Sequence, residues 1–240
     1  MLRASFLLLL LIPAGLPAAT QEEQELAGRA CRLSRPRDAA ATGVLIWLHR
    51  RGEDPVTDFR WWHRSGLVDR GLAVVVPTYA RTSWDEERDR FALLHLDQAV
   101  QRELGLPPGR VLIGGHGDGA ALAQRLVMGL PERYAGGVLA RGLASGNWPE
   151  GRAGVRPMLG IFANRNDPHL PLRSLEAAAA RIDPERFAVR WAHGDGEAEP
   201  TPALWALTVE VAAAGGIPMR ATAVPSEAAG ITAPGDDDAP

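Results

Sequence analysis

The chain has 240 residues, a formal net charge of −3 and one cysteine. Arginine supplies every permanent positive side chain, since the sequence contains no lysine. So small a net charge leaves no electrostatic footprint for nucleic acid or for an anionic membrane, and the lone Cys31 excludes an intramolecular disulfide.

In chain order, Arg3, the apolar run through Ile12 and the small residues Ala18 and Ala19 have the three zones of a secretory leader, with cleavage expected near residues 18–20. The run is too short to span a bilayer, which takes ~20 apolar residues, so export is expected rather than a stable membrane span. Arg29 keeps Cys31 out of a lipoprotein signal, and the thiol reads as a bystander. Residues 21–42 read as a polar segment with a short helix over Gln21–Ala30. Residues 43–214 read as one domain, enough for a sizeable core. Residues 215–240 are rich in Ala, Pro and Gly, end near Asp236-Asp237-Asp238, and read as a disordered tail.

Within the domain, Gly43–His49 is an uninterrupted apolar run suited to a strand buried on both faces. Pro55–Asp69 can form a helix presenting Phe59, Trp62 and Leu67. Leu72–Val76 is a second buried strand, ended by Pro77. Glu86–Leu104 has helical spacing, with Phe91, Leu94, Ala99 and Leu104 apolar and His95 near that face as a core or boundary residue. Val111–Ile113 starts a third strand, and a helix follows to about Gly129. Gly136–Ala140, Pro157–Ala163 and Phe187–Trp191 are further strands. Pro171–Ile182 and Pro202–Ala214 are helices, the last with Leu204, Leu207 and Val211 on one stripe. Strands alternating with helices imply βαβ units: a three-layer α/β sandwich around a mostly parallel sheet of about six strands. Ligands then bind beyond the carboxyl ends of the strands, which singles out the loops starting at His49, Tyr79, His116, Arg141, Asn164 and His193.

The stretch with the most chemistry is Arg110–Leu126, where a strand runs into Gly115-His116-Gly117-Asp118-Gly119 and then into a helix. It resembles the nucleophile elbow of α/β-hydrolases, Gly-x-Ser-x-Gly, with Gly117 at the serine position. The resemblance, to small esterases, phospholipase/carboxylesterases and dienelactone hydrolases, covers about residues 43–214. It implies that Val44–Gly52 supplies part of an oxyanion hole, that Ser145-Gly146 follows the next strand, that Asp167 takes the position of the triad acid, and that Trp191–Gly194 is the loop carrying the triad histidine, His193. The order nucleophile, Asp, His is the order these enzymes use. Arg50 departs from the pattern by following His49 where a glycine is usual.

Acyl transfer by this route needs a nucleophile, a histidine and an orienting carboxylate, and Gly117 removes the first. The expectation is therefore a catalytically impaired homologue whose Arg50 and Asp118 region binds a small ester-like or anionic ligand, or a protein partner, without cleaving it. The competing expectation is an active ester hydrolase using His193 and Asp167 with water or a non-serine nucleophile. Asp118 is one residue late for a carboxylate nucleophile and reads better as a helix N-terminal acid. Ser145 reads better as a turn residue. His49, His116, Asp118, Asp167, His169, His193 and Asp195 lie near strand ends, but no tight ligand spacing marks a metal site, and no cofactor is expected. Arg50, Arg51, Arg141 and Arg165 line the same mouth, where guanidinium groups suit carboxylate or phosphate. Trp84 and Trp148 can wall a pocket there.

Overall fold

The structure is a computed structural model that describes residues 20–37, 39–78, 83–144, 156–167, 170–194 and 202–221. The leader-like residues 1–19, Ser145, Trp148, His169, Asp195 and residues 222–240 lie outside that set.

Eight strands form one sheet: β1 (Thr20–Leu26), β2 (Arg29–Arg35), β3 (Gly43–Leu48), β4 (Leu72–Pro77), β5 (Val111–His116), β6 (Gly136–Ala140), β7 (Met158–Asn164) and β8 (Ala188–Gly194). Their order is β1-β2-β4-β3-β5-β6-β7-β8. β1, β2 and β4 pair antiparallel and the remaining pairs are parallel. Five helices complete the layers: α1 (Pro55–Arg64), α2 (Glu86–Leu104), α3 (Asp118–Gly129), α4 (Leu172–Ala179) and α5 (Pro202–Ala214).

Period-two alternation divides the apolar runs between two cores. Val44, Ile46 and Leu48 of β3 face one core with Leu93, Leu96 and Val100 of α2 and Leu126 of α3. Leu45 and Trp47 face the other with Phe59 and Trp62 of α1 and Leu204, Leu207 and Val211 of α5. All residues of β3, β4, β5 and β6 are buried, as strands sandwiched by helices must be.

Four expectations are corrected. Gln21–Ala30 is not a helix but most of a β-hairpin, turned by Ala27 and Gly28, both at positive φ. That is the geometry of a two-residue turn whose twist suits the flanking strands. The Glu-rich strand β1 sits at the sheet edge, where charge blunts further pairing, so helix propensity lost to an edge position. On α2 the buried stripe is Asp89, Leu93, Leu96, Asp97 and Val100. Phe91, 69% exposed, and His95 face solvent. The helix is rotated from its apparent face because Asp89 and Asp97 turn inward to salt bridges with Arg29 and Arg133. The helix from Pro55 stops at Arg64, short of Asp69, because Gly66 takes positive φ (71°). The end of the domain lies beyond Ala214: Ile217 is buried against Gly43, and Arg220 hydrogen-bonds to the carbonyls of Arg70 and Ala40.

Candidate functional site

The elbow sits where β5 meets α3. Three of its glycines are required by close backbone approach. A Cβ on Gly114 would lie 2.6 Å from the Val138 carbonyl oxygen, one on Gly115 2.5 Å from the Gly119 carbonyl carbon, and one on Gly119 2.2 Å from the Leu48 carbonyl oxygen. Gly117 differs. Its backbone is at φ 60° and ψ −118°, the strained elbow conformation that costs a side-chain-bearing residue about 1–3 kcal/mol. The atoms nearest a Cβ built there all belong to Arg50: Cγ at 3.2 Å, Cδ at 3.6 Å and Cβ at 3.8 Å. The turn is clamped from β6. The Gly117 N–H donates to the Ala140 carbonyl at 2.9 Å, and a Cβ on Gly142 would collide with the Gly117 carbonyl.

Asp118 opens α3, and its carboxylate is fully engaged. One oxygen accepts the Arg51 N–H at 2.8 Å and the other the Trp84 N–H at 3.1 Å. The Asp118 carboxylate therefore ties the loop after β3 to the segment entering α2 and does not point out as a nucleophile would. Arg51 belongs to the Val44–Gly52 stretch expected to supply part of an oxyanion hole, and Asp118 already holds its N–H. Trp84 completes the tie, its indole N–H donating to the His49 carbonyl at 2.7 Å. It also walls a groove of about 430 Å³ with Asp118, Leu122 and Arg125.

Glu53 stands out only in the structure. Its carboxylate lies 3.5 Å from the Arg50 guanidinium and 3.4 Å from Nδ1 of buried His116, the latter contact too poorly aligned for a full hydrogen bond. Burial pushes the Glu53 carboxyl upward, but His116 and the charges of Arg50 and Arg141 outweigh it and hold it below the usual glutamate range. Behind it lies Asp58 of α1, fully buried, which accepts the Trp47 indole N–H at 2.6 Å. Burial raises the Asp58 carboxyl to about 6; the Trp47 bond and His116 oppose that, and Glu53 and Asp54 add to it. A charged loop residue such as Glu53 carries no periodic signal, and Asp58 looks like an ordinary first-turn acid, so neither was legible as part of this cluster.

Asp167 lies in the loop after β7, as its triad position implies, with its carboxylate turned to Arg141. The Arg141 Nε donates to one oxygen at 2.5 Å and the Leu170 N–H to the other at 3.1 Å. Both side chains are largely buried. Arg141 holds this pose at φ 51°, unusual for a residue with a side chain, and its own N–H donates to the Phe162 carbonyl at 3.1 Å. His193 is not in a loop: β8 extends to Gly194, and His193 pairs in register with Ala163. Its ring stacks on Trp191, centroids 6.1 Å apart, and its Nδ1 is buried without a hydrogen-bond partner. Among the described residues no hydrogen bond joins His193 to Asp167. Arg165 is exposed beside β8, its N–H donating to the Gly194 carbonyl. Among the described residues no three His, Cys, Asp or Glu side chains converge as metal ligands would, and no helix is long and apolar enough to cross a membrane.

No family model and no curated protein sequence matches the chain. Solved structures do. Thermogutta terrifontis esterase 2 phosphoramylated by tabun superposes with a TM-score of 0.57 at 16% identity, covering 85% of this chain and 96% of that one. A hormone-sensitive lipase from a metagenome library gives 0.59 at 12% identity over 83% of each chain. A phospholipase/carboxylesterase from Dyadobacter fermentans gives 0.55 at 17% identity, covering 80% of this chain and all of that one. With the elbow and the strand order, these similarities establish that the chain has the fold of the α/β-hydrolase superfamily.

Proposed function

We propose that this is an exported α/β-hydrolase-fold protein that no longer performs serine hydrolysis and instead holds a small ester-like or anionic ligand, or a partner's side chain, at the mouth of the old cleft. The observation that carries this reading is Gly117: the elbow backbone is retained, yet it presents no atom that can attack an acyl group. Loss of the serine from an intact triad costs about 10⁶ in turnover. The residues nearest the elbow and the triad acid position give no support for a bypass, because the Asp167 carboxylate serves Arg141 and the Leu170 N–H, and Asp118 serves two backbone amides. Arg50, whose side chain is partly exposed, supplies a planar guanidinium group suited to a carboxylate or phosphate. Export rests on the leader-like start of the sequence, and the processed mass of secreted protein tests it.

A fluorophosphonate probe tests the catalytic half: wild type should remain unlabelled. Labelling that disappears in Ser145→Ala would restore that serine as a nucleophile and end the reading. Acetate, butyrate and inorganic phosphate in a thermal-shift series test the ligand half, with a stabilisation expected that is lost in Arg50→Ala.

A further inference from the structure

We infer that the cleft is closed from within by the chain's own side chains, and that Arg50 controls access to position 117. This rests on the reading of a silent hydrolase site and extends it: the missing serine is one block, and Arg50 is a second, separate one. The three atoms nearest a Cβ at position 117 are all carbons of the Arg50 stem. They line the space that a side chain at this position would enter. The stem is held at its far end, where the guanidinium lies 3.5 Å from Glu53, and Glu53 is fixed in turn by its N–H on the Arg50 carbonyl at 3.1 Å and by His116 at 3.4 Å. The loop beneath is fixed as well. The Asp118 carboxylate occupies the Arg51 N–H and bonds the Trp84 N–H, so the amide that would greet an incoming oxyanion already holds an internal one. An intramolecular carboxylate competes at high effective concentration. A ligand that reaches Gly117 must first displace Arg50.

The test uses a thiol reporter at the elbow. Gly117→Cys is made in a Cys31→Ala background, with and without Arg50→Gly. Cys31 is buried and its thiol is pushed up to about 12, so its removal only clears the background. The rate of iodoacetamide alkylation is then compared. Alkylation on the order of 100-fold faster in the Arg50→Gly protein is expected; equal rates overturn the inference. Should Gly117→Cys fail to fold by circular dichroism, Gly117→Ser, the residue such elbows carry, replaces it with fluorophosphonate as the probe. Labelling confined to the protein that also carries Arg50→Gly supports the inference, and equal behaviour of the two, labelled or not, overturns it. Failure of the silent-site reading shows elsewhere, as labelling of the wild type.

Discussion

The backbone of the elbow and the side chains around it are held in place by different means. Gly115 and Gly119 sit where any Cβ would overlap backbone atoms at 2.5 Å or less. The backbone there keeps the geometry that projects a nucleophile. The side chains around it are engaged in internal partnerships: Arg50 with Glu53, Glu53 with His116, Asp118 with two amides, Asp167 with Arg141. The difference shows that the shape of the turn is set by packing against β3 and β6, whereas the side chains around it are held by their own internal pairings.

Substitutions can break this contrast. The largest effect is expected from Arg141→Ala, which removes the guanidinium from the buried Asp167 carboxylate; breaking such a pair costs about 3–5 kcal/mol, read as a lower urea midpoint. Gly119→Ala should cost about 3 kcal/mol, the upper end for overpacking, because the Leu48 carbonyl is backbone and cannot yield. Asp58→Asn should act in the opposite direction. Its folded-state carboxyl, raised to about 6 from 3.8, makes the protonated form the stabilising one. That stability is fully present below about pH 4 and is lost as pH rises through about 6. Asparagine can still accept the Trp47 N–H, so the variant should gain roughly 2–3 kcal/mol at pH 8 and nothing at pH 3. A gain that does not depend on pH would mean that Asp58 is not buried as an acid. The smallest effect is expected from Gly117→Ala, about 1–2 kcal/mol from the positive φ alone, since the Arg50 stem can shift by a few tenths of an ångström. Should Gly117→Ala cost as much as Gly119→Ala, the distinction between the glycines packed against backbone and Gly117 fails.

Much of this was legible because period and punctuation are local. The uninterrupted apolar run of β3, the glycine cluster after Ile113 and the stripe of Leu204, Leu207 and Val211 each have one structural solution, and each took it. The β1–β2 hairpin was hidden because Gln21–Glu25 favours a helix on propensity, and only pairing with β4 decides otherwise. The rotation of α2 was hidden because Asp89 and Asp97 are buried by arginines distant in sequence. At the site, the sequence placed Gly117, Asp118, Asp167 and His193 near the right strand ends. It could not show that Arg141 would claim Asp167, or that Arg50 would cover the elbow, since both depend on loop conformations brought together only by the sheet.

The most direct test of a silenced cleft is turnover of a chromogenic short-chain ester by the purified protein beside its His193→Ala variant. Equal rates for the two, both at the level of free solution, are expected. Wild-type turnover that vanishes in His193→Ala would contradict the reading and make this chain a hydrolase that works without an elbow serine.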